Sequence, residues 1–209
     1  MYTTMTKIKL CGLSRPCDIE TANQLKPEYI GFIFAKKSKR YVSPETAAQL
    51  KSLLDPAIQA VGVFVKEDPA AVAKLLNDGI IDAAQLHGDE DETYIHNLRA
   101  LTDKPLIRAF RVDSTDDVEK ACKSSADYIL LDSGSGGTGT AFDWTLLLGG
   151  VNRPYFLAGG LSSENAGSAV RLFHPYAVDV SSGIETDGLK DAKKMADFVS
   201  AVRKEDIHD

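Results

Sequence analysis

Two reactive side chains each stand at the end of a short strand-like run. Cys11 follows Lys7–Leu10, and Asp132 follows the apolar run Ile129–Leu131. A thiol acts as a general base when its pKa falls below the usual value of about 8.5, although a cysteine there is more often a small packing residue. A carboxylate at such a point caps a loop or transfers protons, because burying it unpaired is costly. Cys11 and Asp132 are therefore candidates for a base and an acid.

Two short segments rich in glycine and serine follow the seventh and eighth strand-like runs of the chain. The first of them precedes a helical stretch. Backbone N–H groups of such loops and the N-termini of helices bind phosphate, and barrel enzymes often do so after their last two strands. Ordinary turns that need glycine are the alternative. The predicted phosphate-site residues are Gly159, Gly160, Leu161, Ser181, Ser182 and Gly183.

A basic cluster, residues 36–40, follows the second run in a chain that is acidic overall. It is either a solvated loop or a clamp for an anionic substrate. Arg40 is the candidate that binds a carboxylate, because the planar guanidinium matches it with two parallel hydrogen bonds. His87 ends the fourth run and is a candidate substrate contact. We interpret the acidic residues 89–92 as favouring the start of the next helix rather than as metal ligands.

Residues 134–139 match the spacing G-x-G-x-x-G that is typical of dinucleotide-binding loops. That fingerprint also requires a helix at the third glycine and an acidic residue about 20 positions further on. The region near Pro154 carries no acid. We therefore interpret the segment as a lid over an active site, and we expect no nicotinamide cofactor and no metal ion.

Eight strand-like runs alternate with helical stretches along the whole chain. Serine or aspartate followed by proline starts a helix at Ser43 and at Asp68, and further starts are expected at 113–115, 162–164 and Asp191. Nearly continuous apolar runs between helices predict parallel strands with right-handed crossovers. We predict an α/β fold, a single (β/α)₈ TIM barrel of one domain over residues 1–209, with a doubly wound open sheet as the alternative. The runs are Lys7–Gly12, Tyr29–Phe34, Gln59–Val65, Ala83–Gly88, Leu106–Val112, Tyr128–Ser133, Tyr155–Gly160 and Ala177–Gly183.

The composition is that of an ordinary globular protein of 209 residues, with 44% hydrophobic and 26% charged residues. A net charge of −6 argues against a general nucleic-acid binder. Apolar runs are shorter than the roughly 18 residues that span a bilayer, so we expect no membrane partner. Three cysteines without a C-x-x-C pair indicate a reduced, cytoplasmic protein, with Cys17 and Cys122 as packing residues of helices.

The sequence resembles the phosphoribosylanthranilate isomerase family of tryptophan biosynthesis over nearly its whole length. The segments that carry this resemblance are residues 9–13 (KLCGL), 38–43 (SKRYVS), 85–90 (QLHGDE), 131–133 (LDS), 136–139 (GGTG), 142–144 (FDW), 157–161 (LAGGL) and 178–185 (VDVSSGIE). Each segment alone is a weak signal. Their ordered occurrence at the ends of the expected strands is highly specific.

The resemblance implies a (β/α)₈ fold and the Amadori rearrangement of N-(5-phosphoribosyl)anthranilate to the carboxyphenylamino-deoxyribulose phosphate. It implies Cys11 as general base, Asp132 as general acid and Arg40 on the anthranilate carboxylate. It also places the two glycine-serine loops on the phosphate. His87, at the end of the fourth run, and Asp179, in the eighth, are further candidate substrate contacts. The nitrogen of the substrate supplies the electrons for ring opening, so we expect no organic cofactor.

Two other functions remain open from the residues alone. A related phosphosugar isomerase would share the barrel and the phosphate loops, although the isomerase of the histidine pathway has an aspartate where Cys11 stands. A non-catalytic barrel that binds a phosphorylated ligand would keep the loops without needing Cys11 and Asp132. Under each of these hypotheses we expect a small phosphorylated ligand. We also expect the protein to be a monomer or a homodimer.

Overall fold

The computed structural model describes residues 5–133 and 144–205, and over these residues the chain forms a closed barrel of eight parallel strands. Each strand pairs with the next, and the first pairs with the last, so the barrel prediction is confirmed over the open sheet. The strands are β1 (Lys7–Cys11), β2 (Tyr29–Ile33), β3 (Gln59–Phe64), β4 (Ala83–Leu86), β5 (Leu106–Val112), β6 (Tyr128–Ser133), β7 (Tyr155–Leu157) and β8 (Ala177–Val180).

Seven helices cover this barrel within the described residues, and most begin where a capping side chain was predicted. Ser43 accepts a hydrogen bond from the Thr46 N–H, and Asp68 accepts from two backbone N–H groups of its helix. A 3₁₀ turn at Trp144–Leu147 precedes β7. The helices are α1 (Pro16–Leu25), α2 (Pro44–Ser52), α3 (Pro69–Asn77), α4 (Glu92–Arg99), α5 (Thr115–Cys122), α6 (Ala166–Phe173) and α7 (Ala192–Glu205).

Two local predictions need correction. The start expected at 162–164 lies later, at Ala166, because Asn165 accepts from the Ser162 N–H and donates to the Gly160 carbonyl, which closes a turn before α6. Cys17 was predicted to pack, but it is exposed on α1. The glycine-rich segment 134–139, predicted to be a lid, lies outside the described residues.

Side chains along β1 alternate between two hydrophobic cores, one outside and one inside the barrel. Ile8 and Leu10 point outward and pack in the large core between strands and helices. Lys7, Lys9 and Cys11 occupy the opposite, inward face, since side chains alternate along a strand. The inner core is a smaller cluster that includes Val61, Ile107, Leu130 and Phe156. These layers of side chains fill the barrel, so a ligand site must lie at one of its ends.

Aromatic side chains close the amino-terminal end of the barrel. Tyr29 and Tyr128 place their hydroxyls 3.0 and 3.3 Å from the Tyr176 hydroxyl, and the Lys7 ammonium donates to the same oxygen at 2.7 Å. The rings of Tyr29, Tyr128 and Tyr176 pack around Phe156. In the described part of the chain, no helix is long and apolar enough to cross a membrane.

Candidate active site

A cavity of about 260 Å³ opens at the carboxyl-terminal ends of the strands. Nearly all the residues selected from the sequence line it: Cys11, Arg40, His87, Asp132, Gly159, Gly160, Leu161, Asp179, Ser181 and Ser182. Apolar side chains of β2 and β3 and the segments that follow them, Ile33, Val63 and Val65, line it as well. The structure thus brings together side chains that are far apart in the chain, at the end of the barrel where such enzymes bind their substrates.

Cys11 ends β1 with its side chain at the floor of this cavity, and it is 5% exposed. Gly31 of β2 is its strand partner, and a Cβ at that glycine would lie 2.6 Å from the Cys11 Sγ. Glycine at position 31 therefore makes the room that the sulfur occupies. Burial raises the pKa of the Cys11 thiol, and the carboxylate of Asp179 raises it further, while the ammonium groups of Lys9 and Lys190 act in the opposite direction.

Lys9 and Asp179 form an ion pair inside the barrel. The Lys9 Nζ lies 2.9 and 3.0 Å from the two carboxylate oxygens of Asp179, and Lys9 is fully buried. Burial disfavours its charge, but Asp179 and Cys11 outweigh that effect and raise the pKa of the Lys9 ammonium. Asp179 was predicted from the sequence and Lys9 was not, although a lysine within a buried strand, two positions before Cys11, was a usable signal.

Asp132 faces the cavity from β6 and is held by a histidine. The His87 Nε2 lies 3.4 Å from the Asp132 Oδ2, and the Gln85 amide lies 2.8 Å from the His87 Nδ1. Gln85 is buried, and its Oε1 has no hydrogen-bond partner among the described residues. A buried amide oxygen without a partner is energetically unfavourable. Because Gln85 lines the cavity, a ligand hydroxyl or amine is the natural donor to it.

Arg40 reaches the cavity rim from the segment after β2, where it is held by Glu185. Its Nε and Nη2 donate to the two carboxylate oxygens of Glu185 at 2.5 and 2.7 Å. Lys190 also donates to Glu185, at 2.6 Å, and to the Ser181 carbonyl at 2.8 Å. Burial opposes the Glu185 charge, but hydrogen bonds from Arg40 and Lys190 lower the pKa of that carboxyl.

Glu185 and Lys190 belong to a two-stranded hairpin, β9 (Glu185–Thr186) and β10 (Leu189–Lys190), that follows β8. Neither residue was among those predicted from the sequence to form the site. These contacts fix the position of the Arg40 guanidinium. Glu185 accepts from two of its five N–H donors, and the others can bind a ligand. A prepositioned cation at the rim suits an anionic group of a ligand.

The two glycine-serine loops meet at one wall of the cavity. Gly159 and Gly160 adopt φ of 82° and 66°, which other residues rarely do, so β7 ends at Leu157 rather than at Gly160 as predicted. Gly183 does not line the cavity in the structure. A Cβ at position 183 would lie 2.0 Å from the Leu161 carbonyl oxygen, so this glycine allows the two loops to touch.

Two of the acidic residues after β4, Glu90 and Asp91, accept hydrogen bonds from backbone N–H groups. Asp91 caps α4 through the Tyr94 N–H, as predicted for that stretch. Glu90 is buried and accepts hydrogen bonds from the Lys66 and Gly88 N–H groups. Among residues 5–133 and 144–205, no group of three or more His, Cys, Asp or Glu side chains is arranged to hold a metal ion.

Comparison with known proteins gives one consistent family. The family model for N-(5'phosphoribosyl)anthranilate (PRA) isomerase matches residues 8–201. A curated N-(5'-phosphoribosyl)anthranilate isomerase of Thermoanaerobacter sp. (strain X514) is 46% identical over 204 residues, which cover 95% of this chain and 98% of that protein.

Solved structures agree with this result. A structure of monomers generated from the dimeric phosphoribosylanthranilate isomerase of Thermotoga maritima is 34% identical with a TM-score of 0.85, and covers 96% of this chain and 100% of the other. A phosphoribosyl anthranilate isomerase in complex with reduced 1-(o-carboxyphenylamino)-1-deoxyribulose 5-phosphate is 33% identical with a TM-score of 0.84 and the same coverage. The chain therefore belongs to the N-(5'-phosphoribosyl)anthranilate isomerase family.

Proposed function

We propose that this chain converts N-(5'-phosphoribosyl)anthranilate to 1-(2-carboxyphenylamino)-1-deoxyribulose 5-phosphate, an Amadori rearrangement in tryptophan biosynthesis. One observation carries the proposal: Cys11 and Asp132, on β1 and β6, line the same cavity as a prepositioned arginine and two glycine-serine loops. The relative that holds the reduced product analogue supports the same substrate class.

The reaction opens the ribose ring at the bond between C1 and the ring oxygen and then moves a proton from C2. Asp132 donates a proton to the ring oxygen of the ribose while the nitrogen lone pair forms a double bond to C1, which opens the ring. Cys11 as thiolate then removes the proton from C2, and the electron pair moves to give an enolamine that tautomerises to the ketone. General acids and bases placed in this way accelerate such steps by about 10²- to 10⁴-fold each.

His87 is assigned the role of orienting the general acid, Asp132. When the Gln85 amide nitrogen donates to Nδ1, the proton of the neutral ring lies on Nε2, which faces the Asp132 carboxyl. This contact orients Asp132 toward the ring oxygen, and the exposed part of the imidazole contacts the substrate. Gln85 and His87 thus form a support for the acid, built on the inward face of β4.

The two ends of the substrate are assigned to different groups of cavity residues. The loops with Gly159, Gly160 and Ser182 bind the phosphate through backbone N–H groups, ahead of the N-terminus of α6. Arg40 binds the anthranilate carboxylate, and the apolar wall with Val63 and Val65 accommodates the aromatic ring. Since Cys11 must be a free thiol for this chemistry, we propose that the protein works in the reducing cytoplasm.

The test is the decay of anthranilate fluorescence when the protein is mixed with freshly prepared phosphoribosylanthranilate. We expect a fast decay that depends on protein concentration and needs no added metal or cofactor. Tight binding of the product analogue without fluorescence decay would instead indicate a non-catalytic phospholigand barrel. Turnover of the histidine-pathway substrate alone would indicate the related phosphosugar isomerase.

The assembly state is a separate proposal. The Thermotoga maritima relative is described as dimeric, and for this chain we expect a monomer or a homodimer. Size-exclusion chromatography with light scattering distinguishes the two, since the monomer has a mass of 22.6 kDa.

A further inference from the structure

Lys9 is the one fully buried lysine of the described residues that the reaction above does not use. It projects into the barrel from β1, one inward position below Cys11, and binds both carboxylate oxygens of Asp179. An ammonium ion in a protein interior is strongly unfavourable unless it is paired. A charge at this position therefore calls for a physical explanation.

Barrel closure does not supply that explanation. Lys9 and Asp179 are register partners where β1 pairs with β8, so their contact joins the two ends of the sheet. Backbone hydrogen bonds already make this junction, and well-packed apolar side chains of similar volume stabilise such a site as well as a buried ion pair or better. The pair is thus weak as a structural device.

Its surroundings point to the thiol. Lys9 and Cys11 are successive residues on the inward face of β1, and the Lys9 ammonium interacts electrostatically with the Cys11 side chain as well as with Asp179. The charged groups that face Cys11 are Lys9 from its own strand, Asp179 from β8, Lys190 from β10 and Arg40 from the segment after β2. Lys9 gives the largest contribution that favours the thiolate, whereas burial and Asp179 favour the thiol.

We propose that Lys9 is a positioning residue that sets how much of Cys11 is thiolate, with Asp179 as the counter-charge that limits it. The proposal rests on the proposed role of Cys11 as the base. Asp179 lines the cavity, so a substrate hydroxyl that donates to it disperses its negative charge. The Lys9 ammonium is then less neutralised and stabilises the thiolate when the substrate is in place.

The test uses the reactivity of Cys11 rather than turnover. Cys17→Ser and Cys122→Ser are introduced together, so that iodoacetamide, which is small and uncharged, reports on Cys11 alone. The alkylation rate is followed across pH by mass spectrometry. Lys9→Met is expected to raise the midpoint by about one pH unit or more, because removing a close opposite charge shifts a pKa by that amount. At pH values below both midpoints, alkylation then slows about tenfold.

Asp179→Asn is expected to move the midpoint in the opposite direction, downward, since it leaves Lys9 without its counter-charge. A purely structural pair would move both midpoints the same way or neither, and that result overturns the proposal. Lys51→Met is the matched control, because it removes another lysine of an ion pair, with Asp82, at the far end of the barrel. It is expected to leave the midpoint unchanged.

A folding failure of Lys9→Met is recognised by circular dichroism, and Asp179→Asn then decides: a lower midpoint supports the proposal, and an unchanged or higher one overturns it. The acid limb of kcat/KM reports the base in the free enzyme and separates the two hypotheses. If Lys9→Met and Asp179→Asn shift the alkylation midpoint in opposite directions while the acid limb of kcat/KM stays unchanged, Lys9 controls the thiolate fraction of Cys11 but Cys11 is not the base. If the limb follows alkylation in the wild type and Lys9→Met moves neither, the base stands and the role of Lys9 is refuted.

Discussion

Lys7 and Lys9 project from the same face of β1, but the two ends of the barrel use them differently. At the amino-terminal end, Lys7 donates to the Tyr176 hydroxyl, which also contacts two other tyrosine hydroxyls. At the carboxyl-terminal end, Lys9 lies under Cys11 and beside a cavity that Asp179 also lines. One lysine completes a closed polar cluster, and the other faces groups that a ligand can still bind.

The difference shows what distinguishes a functional end from a structural end in a symmetric fold. The amino-terminal cluster satisfies its hydroxyls internally and covers them with aromatic rings. The other end keeps the buried Cys11 thiol, the Asp179 carboxylate and the Gln85 side chain in the lining of one cavity. Among the described residues, the Gln85 Oε1 has no hydrogen-bond partner. Since an unsatisfied buried polar atom destabilises the folded state, its presence in the lining of a cavity indicates that a ligand binds there.

The largest expected effect comes from removing the proton-transfer groups. Cys11→Ser and Asp132→Asn should each lower kcat by about 10²- to 10⁴-fold, since each removes one general catalyst. Binding of the reduced product analogue, measured by isothermal titration, should change little because the phosphate and carboxylate contacts remain. Cys17→Ser on α1 and Asp78→Asn, directly after α3, are the controls and should keep wild-type turnover. Near-normal turnover in either site variant would refute its assigned role.

The second effect tests the room around the sulfur. Gly31→Ala places a methyl group 2.6 Å from the Cys11 Sγ and 3.1 Å from its Cα, so the cysteine must move. A displacement of about 1 Å lowers kcat by roughly 10²-fold, and overpacking destabilises the fold by about 1–3 kcal/mol. Gly149→Ala is the matched control, because a Cβ there meets nothing within 4 Å. Wild-type kcat in Gly31→Ala would mean that the position of the thiol does not limit the reaction.

The third effect separates binding from chemistry. Arg40→Ala should raise KM by about 10- to 100-fold with a smaller change in kcat, the loss expected for charge-assisted hydrogen bonds to a carboxylate. Arg40→Lys should recover only part, because an ammonium lacks the planar fork. Arg171→Ala, which removes an exposed arginine of α6, should leave both constants unchanged. An unaltered KM in Arg40→Ala would remove Arg40 from the substrate site.

The sequence predicted the barrel, its eight strands and most of the cavity residues, because these depend on local signals. Apolar runs, capping residues such as Ser43, and reactive residues at strand ends are all legible within a few positions. The strand ends were less accurate. β8 stops at Val180 rather than Gly183, because the polypeptide turns there to bring Gly183 against the Leu161 carbonyl.

What the sequence did not predict depends on contacts between distant segments. The pairing of Lys9 with Asp179 requires that β1 meet β8 in a particular register, across 170 positions. The ion pair between Glu185 and Arg40 joins residues 145 positions apart. Whether the Gln85 Oε1 finds a hydrogen-bond partner among the described residues depends on the atoms that surround it in the fold. None of these contacts can be predicted from spacing along the chain. A sequence motif therefore identifies a reactive residue more readily than it identifies the distant residue that positions it.

The smallest effect on turnover is expected at the amino-terminal end, where Tyr176→Phe should leave kcat/KM unchanged and lower stability by about 1 kcal/mol near pH 7. Burial opposes ionisation of Tyr176, but the hydrogen bond from Lys7 and the hydrogen bonds shared with its two tyrosine neighbours lower its pKa. A hydroxyl with a lowered pKa adds stability as pH rises from that pKa to the unfolded value near 10. The deficit of Tyr176→Phe in urea unfolding should therefore grow between neutral pH and about pH 10.

Tyr155→Phe is the matched control for this pH dependence, since it also removes one hydroxyl hydrogen bond, to the Phe173 carbonyl. Burial raises the pKa of Tyr155, so its hydroxyl loses stabilising effect as pH rises through the unfolded value, and the deficit of Tyr155→Phe should shrink there. Opposite trends in the two variants, with equal turnover, would establish the amino-terminal cluster as a charged but purely structural counterpart of the Lys9 site. Loss of turnover in Tyr176→Phe would instead couple the two ends and break the distinction between them.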